Sequence, residues 1–242
     1  MTEKLSNEWE ERFRAVEENY KRICDGIARA AADSSRKPEE ITLLAATKTV
    51  PVEVINHSIA LGISHIGENR VQELCEKYDG YASVDVQFIG HLQTNKVRQI
   101  ISKVSLIQSV DSLHLAQEVS RQAVKAAKQQ DILLEVNIGR EENKSGVLPE
   151  ALPELLEQVA VLPALHIRGL MAIPPADAAK SETIRFFSRM TQYFIDIKNK
   201  SMDNVNMDYL SMGMSADYED AIRAGANMVR VGSALYGARV YR

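Results

Sequence analysis

The sequence has few cysteines, no long apolar run and no excess of basic residues. Its 242 residues include two cysteines, Cys24 and Cys75, which stand far apart in segments of helical pattern. This spacing excludes a disulfide framework and a cysteine metal motif. No apolar run approaches the about 20 residues that span a bilayer, and the charged N-terminus lacks the apolar core of a secretion signal. We therefore expect a cytoplasmic protein that does not associate with membranes.

Charge and histidine content exclude two further classes of function. The formal net charge is −4, so no basic surface for nucleic acid is indicated, and we expect no nucleic-acid partner. The five histidines do not cluster, and none has the spacing of a metal-ligand pair. The sequence thus predicts no metal site.

A strand–helix unit repeats along the chain. Short apolar strands end in polar or small residues, and helical patterns of ten to twenty residues separate them. Eight strands are predicted: ITLLAAT, SHIGEN, VQFIGHL, SLIQSV, DILLEVNI, IRGLMAI, MDYLSMG and MVRVGSAL. Several are apolar on both faces, which is typical of parallel strands covered by helices.

Eight such units favour a single (β/α)8 TIM barrel over residues 1–242. A doubly wound parallel sheet is the structural alternative. The chain opens with an amphipathic helix over about residues 5–32, whose apolar residues recur at helical spacing: Trp9, Phe13, Val16, Tyr20, Ile23 and Ile27. Little sequence follows the last strand, so we expect no long helix there to cover the barrel. We expect the N-terminal helix to cover that part of the barrel wall instead.

The last two strands end in small and hydroxyl residues that suit a phosphate. After the seventh strand, Ser215 is predicted to cap a helix that starts near Ala216, and Gly213 would allow close approach of a ligand. After the eighth strand come Gly232 and Ser233. Barrels often bind phosphate after strands seven and eight, so the two ends together predict a phosphate cup.

Two cationic side chains complete the predicted site. Lys48 follows the first strand directly, and Arg230 shares a strand face with Gly232. A barrel-mouth lysine can form a Schiff base with an aldehyde. Arg230 either donates to a ligand acceptor or forms a structural ion pair with a barrel carboxylate such as Glu135. A phosphorylated aldehyde with a ring acceptor, such as pyridoxal 5′-phosphate, would use all these features.

The sequence also closely resembles the pyridoxal phosphate homeostasis proteins, which are related to the alanine racemase barrel. The matching segments are ATKTVP, IGENRVQE, FIGHLQTNK, VNIGREENKSG, RGLMAIPP, LSMGMSADYEDAI and VRVGSALYGAR. The resemblance implies the racemase-type barrel of fold type III, with pyridoxal phosphate attached covalently to Lys48. It further implies that Arg230 binds the ring nitrogen and that Asn69 lies beside the cofactor, while Ser215, Gly232 and Ser233 hold its phosphate.

The resemblance has one departure. Trp-His often precedes the FIG motif in this family, whereas Val86 and Gln87 stand there in this chain. We expect this difference to affect packing and not the cofactor.

Three functions remain open on these residues. The first is a vitamin B6 carrier or regulator without established catalysis, which exchanges pyridoxal phosphate with cofactor-dependent apoenzymes. The second is a racemase-like enzyme acting on amino acids, and the third is a Schiff-base aldolase acting on a sugar phosphate. Chemistry favours the carrier, because Arg230 can only donate to the ring nitrogen. The chain also ends soon after the barrel, without the second domain and dimer of the racemases, so we expect a monomer.

Two residues near the predicted mouth have no assigned role. Lys144 is either a second amine for cofactor in transit or a solvated loop charge beside Glu141 and Glu142. His91 is the histidine nearest the mouth and the one worth testing.

Overall fold

A computed structural model describes residues 2–238, with side chains from Trp9 onward. Eight strands alternate with helices in the order that the sequence predicts. The strands are β1 (Thr42–Ala46), β2 (His65–Glu68), β3 (Asp85–Phe88), β4 (Leu106–Val110), β5 (Gln130–Val136), β6 (Leu165–Ala172), β7 (Val205–Ser211) and β8 (Met228–Val231). The helices are α1 (Thr2–Asp33), α2 (Val52–Ala60), α3 (Val71–Lys77), α4 (Val97–Ile100), α5 (Leu113–Lys125), α6 (Leu152–Ala160), α7 (Lys180–Lys198), α8 (Tyr218–Ala224) and α9 (Ser233–Tyr236).

The eight strands close into a parallel barrel. Each strand pairs with the next, and β1 pairs with β8 in the register Leu44↔Arg230. Closure rules out the doubly wound alternative and confirms the (β/α)8 barrel. The third and eighth strands are shortened most relative to the prediction, because Ile89 already lies in a loop and Ser233 begins the short helix α9.

Apolar side chains fill both sides of the strand wall. The barrel interior is packed by Leu44, Ile89, Leu106, Leu133, Met171 and Met228. A larger cluster lies between the strands and the surrounding helices. Because alternate residues point inward, Leu44 and Ala46 direct the end of β1 toward the barrel axis, and Met228 and Arg230 do the same in β8.

Helix α1 covers the wall where β8 and β1 meet. It packs against α2, α8 and α9, and the Asn19 side chain donates to the Leu235 carbonyl at 2.9 Å. The stripe predicted from the sequence faces this contact, with Val16, Ile23 and Ile27 buried.

No helix within residues 2–238 has both the length and the apolar character needed to cross a membrane. In the same part of the chain, no group of three or more histidine, cysteine or acidic side chains is placed to hold a metal ion. Cys24 and Cys75 are both free.

Candidate functional site

The ends of β8 and β1 lie against each other at the mouth of the barrel. A Cβ atom on Gly232 would lie 3.2 Å from the Ala46 carbonyl oxygen, so a side chain there would crowd β1. Glycine therefore lets the end of β8 approach the strand that leads to Lys48. The Lys48 side chain is half-buried and lies in the turn two residues beyond β1.

Ser215 joins the loop after β7 to the end of β8. Its Oγ accepts the backbone N–H groups of Gly232 at 3.2 Å and Ala234 at 3.1 Å. The prediction that Ser215 caps the next helix is wrong, since α8 begins at Tyr218 and its N-cap residue is Asp217. The serine instead accepts N–H groups at the start of α9, whose N-cap residue is Gly232 and which belongs to the following strand–helix unit.

These contacts bring two backbone N–H donors to one oxygen atom. Two backbone N–H groups converge on one oxygen position, which Ser215 Oγ occupies here as a neutral acceptor. An anionic oxygen would be a stronger acceptor for the same pair of donors. Ser233 is exposed at the rim, so its hydroxyl is accessible to a ligand. The hydrogen bonds of Ser215 thus place it next to Gly232 and Ser233, the two residues with which it was predicted to form a cup.

Gly213 has a packing role that was not predicted from the sequence. Its φ of 89° lies in the left-handed region, and a Cβ atom there would lie 2.5 Å from the Ala221 Cβ. The glycine allows α8 to pack closely on the end of β7. Its carbonyl accepts the Arg230 backbone N–H at 3.0 Å, which continues the β7–β8 pairing.

Arg230 is buried inside the barrel and bonded to neutral acceptors. Its Nη1 donates to Ser211 Oγ at 2.6 Å and its Nη2 to the Ala172 carbonyl at 3.0 Å. Burial lowers the pKa of Arg230 to about 10, although the nearby Glu135 opposes this. The alternative of an ion pair fails, because Arg230 and Glu135, both within the described part of the chain, do not form a direct salt bridge.

A chain of hydrogen bonds runs from Arg230 through the barrel. Ser211 Oγ donates to Gln108 Oε1 at 2.6 Å, Gln108 Nε2 donates to Gln87 Oε1 at 2.6 Å, and Gln87 Nε2 donates to Asp85 Oδ1 at 2.9 Å. The guanidinium of Arg230 can only donate hydrogen bonds, and the carboxylate of Asp85 can only accept them. Every bond between them therefore points from Arg230 toward Asp85. We call these five residues the interior chain; it links the floor of the barrel to Arg230.

The interior chain was not predicted from the sequence. Its signal was present: Gln108 and Ser211 are polar residues within apolar strands. Whether their side chains meet depends on the register of the strands in the barrel, and that register cannot be predicted from the sequence. The interior chain also gives Gln87 a role that the expected packing effect did not include. Gln108 and Ser211 connect Gln87 to Arg230 through hydrogen bonds.

Glu135 is a second ionisable group at the mouth. Burial, with a smaller effect of the Asp111 charge, raises the pKa of Glu135 to about 7, although Arg230 opposes the rise. A carboxyl group with this pKa exchanges its proton near neutral pH.

The remaining predicted residues lie around the rim. Asn69 directly follows β2 and is half-buried. His91 is exposed, and its Nδ1 lies 2.9 Å from Ser145 Oγ. Lys144 forms an ion pair with Glu141 at 2.6 Å, as a partly solvated loop charge would.

Comparison with known proteins gives a consistent result. The family model described as alanine racemase, N-terminal domain, matches residues 28–240. The pyridoxal phosphate homeostasis protein of Aquifex aeolicus is 42% identical over 226 residues, which cover 93% of this chain and 98% of that protein.

Two solved structures share the barrel. An unknown protein from Bifidobacterium adolescentis aligns with a TM-score of 0.89 at 33% identity, covering 93% of this chain and 96% of that one. PipY of Synechococcus elongatus, solved with pyridoxal phosphate bound, aligns with a TM-score of 0.75 at 32% identity, covering 87% of this chain and 100% of that one.

Fold and family match define a barrel of the alanine racemase N-terminal-domain class. The alignment with the Aquifex aeolicus protein covers nearly the full length of both proteins. Within that class, the chain belongs to the pyridoxal phosphate homeostasis protein family.

Proposed function

We propose that this protein binds pyridoxal 5′-phosphate and serves vitamin B6 homeostasis in the cytoplasm, holding the cofactor on Lys48 and exchanging it with other proteins. The observation that carries the proposal is the pair of N–H donors, from Gly232 and Ala234, converging on Ser215 Oγ beside the end of β1. The names of the relatives and the cofactor bound to PipY support the same ligand.

Each residue has a separate task in this proposal. A phosphate oxygen takes the place of Ser215 Oγ on the N–H pair, and the hydroxyls of Ser215 and Ser233 then donate to the phosphate. Arg230, held by Ser211 and the Ala172 carbonyl, donates to the ring nitrogen. When bound, the cofactor supplies an aldehyde that forms a Schiff base with the Lys48 amine. Asn69 lines the adjacent rim.

Carrier function fits the donor set better than catalysis does. Arg230 has no acceptor atom, so it keeps the ring nitrogen unprotonated and weakens the ring as an electron sink. We propose that the protein acts as a monomer and that its exchange partners are pyridoxal-phosphate-dependent apoenzymes.

The test is covalent trapping of the cofactor. Purified protein is incubated with pyridoxal phosphate, reduced with borohydride, digested and analysed peptide by peptide for the phosphopyridoxyl mass. We expect the mass on the peptide that contains Lys48. Lys48→Ala should lose it and keep weak binding of the phosphate. Trapping at another lysine, or none with excess cofactor, would overturn the assignment.

Catalysis on amino acids has one observation in its favour. Glu135, with a pKa raised by burial to about 7, could move a proton at the mouth near neutral pH. If the protein is an enzyme, cofactor-loaded protein should exchange the α-hydrogen of an amino acid with deuterated water, and Glu135→Gln should abolish that exchange. An equal rate in both proteins would remove Glu135 from this role.

A further inference from the structure

The turn that carries Lys48 contains a backbone outlier. Thr49 has a φ of 65°, in the left-handed region. A β-branched side chain rarely adopts this region, because it crowds the backbone. Thr49 is exposed, so packing of its own side chain does not enforce the conformation. Other contacts must hold the turn.

Those contacts come from β2 and the helix that follows it. The Thr49 N–H donates to Glu73 Oε1 at 2.6 Å. On the other side of Lys48, the Thr47 hydroxyl donates to Glu68 Oε1 at 2.7 Å, and Lys77 Nζ donates to the Thr47 carbonyl at 3.2 Å. Both neighbours of Lys48 are therefore tied to the same group of side chains.

The tying groups are also bonded to one another. Lys77 Nζ lies 2.5 Å from Glu73 Oε1 and 3.2 Å from Glu68 Oε1. The Tyr81 hydroxyl donates to the same oxygen of Glu68 at 3.0 Å. Glu68 is completely buried, and the Lys77 and Glu73 side chains are only 15% and 16% exposed. Water and salt screen ion pairs with so little solvent contact less than they screen surface pairs.

We propose that Glu68, Glu73 and Lys77, the Lys48 clamp, are positioning residues that hold the lysine turn in the conformation that reacts with the aldehyde. The inference rests on the proposed function of Lys48. Without the clamp, Thr49 should relax to an ordinary φ and the amine should lose its fixed direction. The clamp touches the backbone on either side of Lys48, so it acts on reactivity and leaves the phosphate cup at β7 and β8 unchanged.

The test separates covalent reaction from phosphate binding. We would measure the rate of borohydride trapping of pyridoxal phosphate at Lys48 and the affinity for pyridoxine 5′-phosphate, which lacks the aldehyde. Amide hydrogen exchange at Thr49 reports the turn without any cofactor. Glu73→Ala removes the acceptor of the Thr49 N–H, and Glu73→Gln keeps an oxygen there. Glu76→Ala is the matched control, because Glu76 lies on the same helix, is exposed and forms a side-chain hydrogen bond only with Gln72 among the described residues.

We expect Glu73→Ala to slow trapping about tenfold, the size of effect that corresponds to about 1.4 kcal/mol in a barrier. Affinity for pyridoxine 5′-phosphate should stay within about twofold, and Thr49 exchange should accelerate. Glu73→Gln should recover part of the rate. Lys77→Met, which keeps the length of the stem, should behave like Glu73→Ala and provides a second variant if that protein folds poorly.

Equal trapping rates in Glu73→Ala and Glu76→Ala would overturn the clamp, as would a fall in rate matched by an equal fall in pyridoxine phosphate affinity. Failure of the proposed function looks different: wild-type protein would then not be trapped at Lys48 at all. Thr49 exchange still decides the clamp in that case, because unchanged exchange in Glu73→Ala would show that Glu73 does not hold the turn.

Discussion

Replacing Ser211 with alanine tests the interior chain most directly. Its hydroxyl accepts from Arg230 Nη1 and donates to Gln108 Oε1, both at 2.6 Å. The residue is fully buried, so water cannot replace the lost partner without entering the barrel. One buried guanidinium N–H and one buried amide oxygen would be left without a bond.

The expected cost follows from these two bonds. A hydrogen bond to a charged group contributes about 1.5–3 kcal/mol, and a buried polar atom left unsatisfied costs about 1–3 kcal/mol. Since Arg230 keeps its bond to the Ala172 carbonyl, we expect Ser211→Ala to lower the free energy of unfolding by about 3 kcal/mol. For a chain of this length, that corresponds to a fall in Tm of about 6–12 °C.

Ser109→Ala is the matched control. Ser109 is also a buried strand serine, but its Oγ has no hydrogen-bond partner among the described residues. Removing an unsatisfied hydroxyl should leave stability within about 1 kcal/mol of wild type or raise it. Urea unfolding, followed by circular dichroism, measures both variants under the same conditions.

The reasoning would be refuted if the two serine variants unfolded with free energies within about 0.5 kcal/mol of each other. That result would mean that the interior chain contributes no more than an unpaired hydroxyl does. A change in the slope of unfolding against urea would instead indicate an altered denatured or native state, and the comparison would then use Ser211→Cys, which keeps a weak donor.

Three further predictions concern the ligand and pH. Folded protein holds the Glu135 proton up to about pH 7, whereas an unfolded glutamate releases it near about pH 4.3, so wild-type stability falls as the pH rises between these values. In urea melts, Glu135→Gln should therefore be about 3 kcal/mol more stable than wild type at about pH 8 and similar to it at about pH 4. If the variant and wild type were equally stable at both pH values, the raised pKa of Glu135 would be contradicted. Ser215→Ala should weaken pyridoxal phosphate binding by about 1–3 kcal/mol in a titration, and an unchanged Kd would argue against the phosphate cup. Arg230→Gln should change the absorption spectrum of the bound cofactor, while the protein still retains most of the cofactor on gel filtration. A spectrum like that of wild type would show that Arg230 does not contact the ring nitrogen.

The barrel could be predicted from the sequence because its signals are local. A strand buried on both faces must be apolar at successive positions, and DILLEV shows this in the printed chain. Eight such strands alternating with helical patterns leave few alternatives, and closure through β1 and β8 decided between them. Lys48 and Arg230 stood out for the same reason: each is a charged residue at the end of, or within, an apolar strand.

Contacts between units could not be read in this way. Ser215 has the sequence of a helix cap, yet its hydroxyl bonds to Gly232 and Ala234, which lie seventeen and nineteen positions further along the chain. At Gly213 the missing side chain also makes room for Ala221 of α8, a packing role that the sequence did not indicate. The Ser215 contact joins adjacent units, whereas the Gly213 contact lies within the β7–α8 unit, and neither follows from the local sequence.

Short segments of the sequence were enough to predict the strand–helix order, the candidate lysine and arginine, and the small residues of the predicted cup, because each depends on local residue character. Which polar groups meet depends on how the strands and helices pack. Barrel register joins Arg230 to Ser211 and Gln108, and the position of α3 beside the turn after β1 brings Glu73 to the Thr49 N–H. Hydrogen bonds require atoms within about 3 Å, and closure of the barrel sets those distances between residues far apart in the chain.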